Sequence, residues 1–130
     1  ANTYPMPTKF PDGMDVEIFK FSVLEKTYKL AKLPSEKEHV TPYMFNSKNF
    51  KTRKKNIKQN YSKYRFCIDY FDDFKLFTKI LDNFKAKIYK TSMLDIIKFV
   101  QKNPNYINYQ KKIKRNEGWA SALKKDEKFK

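Results

Sequence analysis

A chain of 130 residues, 40% hydrophobic and 17% aromatic, can bury a core and is too apolar for a disordered segment. Its most apolar stretch, MLDIIKFV, is broken by Asp95 and Lys98 and falls short of the roughly 18 residues that a membrane span needs, so no membrane partner is expected. The lone Cys67 excludes an internal disulfide and fits a reducing compartment, read here as the cytoplasm, and the formal charge of +15 raises the question of a polyanionic partner.

Residues 1–13, with Pro5, Pro7 and Pro11, read as irregular. MDVEIF alternates apolar and polar positions and predicts a short strand. FSVLEKTYKLAK pairs Ser22 with Glu25 as a capping box and places Leu24, Tyr28 and Ala31 on one stripe, so a helix ends near Leu33-Pro34. SEKEHVTPYMF repeats the signature with Ser35 and Glu38, and Pro42 limits that helix to a turn or two. Residues 46–63 are polar and basic, a loop or weak strand. KYRFCID predicts a stronger strand closing on Asp69. DDFKLFTKILDNF predicts a helix capped by Asp72, with Phe74, Phe77, Ile80, Leu81 and Phe84 facing a core. SMLDIIKFVQKN carries another box, Ser92 and Asp95, with Leu94, Ile97 and Val100 inward, and stops at Asn103-Pro104. NYINYQKKIKRNEGW is mixed and allows a short strand. WASALKKDEKFK forms a last amphipathic turn or two and frays over 125–130. Strands and helices alternate, which is the pattern of an α/β fold.

The charge carries less than it suggests. Only Arg53, Arg65 and Arg115 among the 29 basic residues are arginine, whereas phosphate and base recognition leans on the arginine fork. Lys, Asn, Ile, Phe and Tyr share A/T-rich codons, so compositional drift accounts for lysine-coated faces as readily as a polyanion does. The segment from Lys48 to Arg65 holds eight basic residues and no acid, with Phe50, Tyr61 and Tyr64 between them; it supports an alternative reading as a small module for single-stranded nucleic acid.

Three stretches could carry chemistry. PDGMD reads as a turn in which Gly13 supplies φ > 0, and such a turn lets Asp12, Asp15 and Glu17 approach sugar hydroxyls or a metal. SEKEHVTPY crowds Glu36, Glu38, the single histidine His39, Thr41 and Tyr43 into a few residues that could hydrogen-bond a polyhydroxylated ligand. With one His and one Cys, a zinc site is not expected. RFCIDYFDDF sets Asp69 at a strand end, where α/β sheets gather ligands and where a carboxylate can hold Mg²⁺ beside substrate phosphates. Asp72 and Asp73 are explained by capping and by the helix dipole.

Taken in order, FPDGMDVEIF, EKEHVTPYMF, RFCIDYFDDFKLF and IKRNEGW resemble the second half of a cytidylyltransferase, of the branch named for spore-coat polysaccharide biosynthesis and related to the acylneuraminate and Kdo cytidylyltransferases. The resemblance runs from about Tyr4 to Leu123. It implies the C-terminal part of a Rossmann-like nucleotide-diphospho-sugar transferase fold, a mixed sheet with flanking helices. It also implies transfer of CMP from CTP to a sugar or sugar acid with release of pyrophosphate, Mg²⁺ as cofactor, and a homodimer. By the same resemblance Asp69 is the metal-binding and catalytic carboxylate, and Asp12, Gly13, Asp15, Glu17, Glu38, His39 and Thr41 line the sugar side. Arg115, Asn116 and Glu117 match a late motif of unassigned role. The glycine-rich nucleotide loop of the family is not among these residues, and Phe71-Asp72 replaces its usual Pro. The chain thus reads as a single partial domain over 1–130, a fragment that does not turn over alone, with nucleic acid an unexpected partner.

Overall fold

The computed structural model describes residues 8–14, 16–55, 57–113 and 117–129. The chain divides into two compact units. One comprises Ala1–Lys9, Asp15–Lys58 and Arg115–Lys130, the other Phe10–Met14 and Gln59–Lys114.

The first unit is helical. Helix α1 spans Phe21–Leu30 and starts from Lys20 without a side-chain cap. Ser22 therefore lies inside the first turn, two residues past the N-cap Lys20, and the expected box with Glu25 does not form. The face that is buried carries Thr27 and Ala31, while Tyr28 is 85% exposed. The short helix α2, Pro34–Glu38, opens on a proline, which has no amide hydrogen to leave unpaired. Its first turn is capped by Glu36, which accepts hydrogen bonds from the amides of Lys32 (2.9 Å) and Leu33 (3.1 Å). Ser35 is freed from that duty and instead donates, through its amide and its hydroxyl, to the two oxygens of buried Asp126 at 2.9 and 2.5 Å. Beyond α2 the backbone turns through Val40, a β-branched residue at φ 65°, before α3, Pro42–Asn46. Pro42 thus opens a second short helix, while the first ends earlier, at Glu38. Asp126 belongs to α6, Glu117–Phe129. That helix continues through Phe129 instead of fraying from 125, because Asp126 and Lys125 both hold it to α2.

In the second unit the core gathers Tyr64, Phe66, Leu76, Ile80, Ile97 and Val100. Helix α4 spans Phe71–Phe84, with Tyr70 as its N-cap residue. The acid that closes the cap is Asp73, not Asp72. Leu76 and Ile80 share the buried face of Asp73, so Phe74 and Leu81 are turned outward, 57% and 44% exposed. Helix α5, Met93–Lys102, begins as read: Asp95 accepts from the Ser92 amide at 3.0 Å and the Ser92 hydroxyl accepts from the Asp95 amide at 3.2 Å. Ile97 and Val100 are buried, Leu94 is not. Two 3₁₀ segments, Lys85–Lys90 and Pro104–Lys112, connect and follow these helices, the second in place of the short strand expected there.

Among the described residues the expected mixed sheet is reduced to one parallel bridge, Asp12 to Arg65. The Asp12 amide donates to the Tyr64 carbonyl (2.9 Å) and the Phe66 amide to the Asp12 carbonyl (2.7 Å). Both predicted strands have the alternation of a strand, but a ladder needs a neighbour to pair with. Val16, Ile18 and Ile68 are accordingly 60%, 86% and 53% exposed.

Candidate functional site

Arg65 organises the second unit. It sits in the bridged segment, its side chain only 11% exposed, and its guanidinium meets three carboxylates. Nη1 donates to Asp12 Oδ2 at 3.3 Å, and Nη2 donates to Asp73 Oδ2 at 3.2 Å and to Asp69 Oδ2 in a close ion pair. The backbone of the same residue is gripped by Gln110, which accepts from its amide and donates to its carbonyl at 2.6 Å. Asp73 is fully buried and saturated. It takes the amides of Asp69 and Tyr70, each at 3.0 Å, and the Tyr109 hydroxyl at 2.8 Å.

Electrostatics follow from this geometry. Burial opposes the charge on Arg65, but the hydrogen bonds to Asp69 and Asp73 more than offset it and hold the guanidinium above its ordinary value. Burial opposes the charge on Asp73 too, and the Asp69 amide, Arg65 and Tyr109 outweigh it, leaving that carboxyl below its ordinary value. Tyr109, desolvated and beside Asp73, is pushed up to about 12 and stays a neutral donor.

Gly13 completes the turn. Its φ is +83°, and a Cβ there would stand 2.6 Å from the carbonyl carbon and oxygen of Phe66. The turn can lie flat on the Phe66 backbone only because the side chain is missing. Gly118, in contrast, stands inside α6 with open space around it. Of these two glycines, Gly13 makes a turn and Gly118 lies within a helix.

Of the residues singled out from the sequence, Asp12, Gly13 and Asp69 come together around Arg65. Asp69 is the solvent-facing member, its side chain 62% exposed at the start of α4. Among the described residues no group of three metal-ligating side chains exists. One exposed carboxylate beside two that are already committed cannot make a protein-only metal site. It does fit a Mg²⁺ whose other ligands are phosphate oxygens and water, the usual arrangement for that ion.

The remaining candidates belong to the first unit. Glu17 and buried Thr41 line a hollow of about 390 Å³. Glu38 lies 2.9 Å from Lys125 of α6, which lowers its carboxyl below the ordinary value, and His39 meets Trp119 edge-on at 5.2 Å between ring centroids. These two hold α2 to α6 and do not share the hollow. His39 and Asp69 fall in different units. Asp15, Arg115 and Asn116 lie outside the described residues, and so does the Glu117 side chain.

Arg65 is the site residue that the sequence reading missed. A signal was present: where lysine is the default cation, an arginine kept four and eight residues before Asp69 and Asp73 marks a place that needs a planar fork.

No family model matches the chain. Over 106 residues it is 32% identical to an uncharacterized protein of Methanocaldococcus jannaschii, a match covering 79% of this chain and 43% of the relative. Its structure is similar to that of a cytidylyltransferase from Leptospira borgpetersenii serovar Hardjo-bovis, with a TM-score of 0.69 and 36% identity, covering 82% of this chain and 43% of that one. The chain spans less than half the length of both relatives. No helix among the described residues is long and apolar enough to cross a membrane. The likeness to a solved enzyme over most of this chain supports the α/β class and the cytidylyltransferase family for these residues.

Proposed function

We propose that this chain is the sugar-facing, carboxy-terminal part of a cytidylyltransferase of the spore-coat polysaccharide branch. In the working enzyme, CMP passes from CTP to a sugar or sugar acid and pyrophosphate leaves. The observation that carries this reading is the structural similarity to the Leptospira cytidylyltransferase at 36% identity.

Within that reading, a sugar oxygen attacks the α-phosphorus of CTP, and the protein's contribution is alignment and charge stabilisation. Asp69 is the carboxylate that would hold Mg²⁺; the ion, when bound, neutralises charge on the phosphates. Arg65 fixes where that carboxylate stands by binding one of its oxygens from the core side. Asp12 and Gly13 shape the adjoining turn, which rests on the Phe66 backbone. Glu17 and Thr41 offer an acceptor and a hydroxyl to sugar oxygens. Glu38 and His39 support that wall from the α2–α6 contact instead of touching sugar. The rest of the nucleotide site, a homodimer and a cytoplasmic setting belong to the same proposal, as does inactivity of the 130 residues alone.

A chimera tests it. Residues of this chain replace the matched part of the Leptospira enzyme, and CTP-dependent pyrophosphate release is measured. The chimera turns over, Asp69→Ala in it loses at least about a hundredfold in kcat, and the isolated chain is silent. A folded chimera whose Asp69→Ala variant keeps normal turnover refutes the role of Asp69.

A further inference from the structure

The hollow that Glu17 and Thr41 line has a second chemistry on its rim. Lys20, Lys51 and Arg53 also face it, and none of the three has a carboxylate within ion-pair distance among the described residues. Three cations and one Glu17 carboxylate give the mouth a local charge near +2. Like charges are gathered at one opening with only Glu17 to offset them, which is unfavourable unless a further anion joins them. A phosphomonoester carries about −1.5 to −2 at neutral pH and balances that charge, while a single carboxylate covers half of it.

The floor is apolar and held in place. Phe45 and Phe50 line it. Phe50 is fixed by an edge-on contact with Tyr43 at 6.2 Å and by Lys26, whose ammonium lies 5.5 Å from its ring centre. Asn49 donates to the Tyr43 hydroxyl at 2.9 Å, so the aromatic wall is braced from both sides. Aromatic faces meet the C–H faces of a sugar ring, and the buried Thr41 offers a hydroxyl beside them. About 390 Å³ accommodates one monosaccharide and not a dinucleotide.

We propose that this hollow binds a phosphorylated monosaccharide. Arg53 and Lys51 take the phosphomonoester, with Lys20 adding charge, and the Phe45–Phe50 wall takes the ring. The sugar half of this ligand rests on the function proposed above; the phosphate half rests on the charge of the rim. Arginine supplies two parallel donors to phosphate oxygens and lysine a point charge, so Arg53 carries most of the orientation.

Isothermal titration of the 130-residue chain in 50 mM NaCl, without CTP, tests it with glucose 6-phosphate, glucose, glucuronate and inorganic phosphate as probes. Glucose 6-phosphate binds at least tenfold more tightly than the other three. Arg53→Ala and Lys51→Ala each weaken it about tenfold, and Lys79→Ala, on α4 in the other unit, leaves it unchanged. The substituted side chains are exposed, and circular dichroism verifies that the variants stay folded. No binding of glucose 6-phosphate at millimolar concentration overturns the proposal. So does equal binding of inorganic phosphate, which would mean an adventitious ion only, or affinity indifferent to both substitutions. Because CTP is absent, sugar-phosphate binding by a chain whose chimera fails to turn over would sink the enzyme reading and leave this site standing.

Discussion

Arg65 and Gly13 do different work at the same turn, and each can be removed by one substitution. Arg65→Met strips the fork from three carboxylates and leaves Asp73 buried with its amide and Tyr109 partners but no cation. Removing one partner of a buried pair costs on the order of 3 kcal/mol, and urea unfolding should show a loss of that size. Arg65→Lys restores charge without the fork and should recover only part of it. The glycines give a sharper contrast. Gly13→Ala meets the Phe66 backbone at 2.6 Å in a conformation that side chains rarely adopt, so the loss should exceed about 2 kcal/mol. Gly118→Ala, in α6 with open space around it, should stabilise by up to about 1 kcal/mol. Equal effects at the two positions would contradict this account. Asp12, Gly13 and Asp69 were legible as candidates because carboxylates beside a glycine turn and at a strand end are unusual in so basic a chain. Arg65 was not, because its partners are 53 residues away at Asp12 and hidden among ordinary helix caps at Asp73.

The start of helix α5 was readable from the sequence, although Leu94 was not the inward residue expected, and the reason is local. Ser92 and Asp95 satisfy each other's amides within one turn, with no help from the rest of the chain. The Ser92 hydroxyl and amide hold the Asp95 carboxyl below its ordinary value. A carboxyl lowered in the folded state contributes stability that is fully present above its unfolded value and is lost as pH falls through the folded one. Ser92→Ala removes this cap and should lower stability at neutral pH. That deficit should shrink as acid titrates Asp95, narrowing between the two proteins' stability curves on the acid limb. A deficit constant with pH would mean that the box does not couple to Asp95. Elsewhere the caps depended on distant partners. Ser35 is spent on Asp126, 91 residues on, so Glu36 caps α2; Asp73 is oriented by Arg65 and Tyr109, so it displaces Asp72 at α4. The two predicted strands failed for a related reason. Alternation marks a segment that can pair, but the pairing partner is not written in the segment itself. The outward Phe71, Phe74 and Leu81 of α4 are a second apolar stripe that sequence periodicity cannot tell from the buried one.

Electrostatics across the whole chain come in two kinds that salt should separate. There are 29 basic residues against 14 acidic ones, most of the lysines exposed, and the resulting self-repulsion favours expansion. Raising NaCl from 10 to 300 mM shortens the screening length from about 30 Å to about 6 Å. Exposed lysines then repel less, and the thermal midpoint should rise by several degrees. The Arg65 cluster should behave differently, since Arg65, Asp12 and Asp73 face one another largely out of reach of mobile ions and only Asp69 faces solvent. The cost of Arg65→Met should thus be nearly the same at both salt concentrations, even as both proteins become more stable. A midpoint that falls with salt would show that attractive surface pairs, such as Lys125–Glu38 and Lys75–Asp72, outweigh the repulsion. A cost of Arg65→Met that collapses in salt would show instead that the guanidinium is solvated and that Asp12, Asp69 and Asp73 are not held as one group.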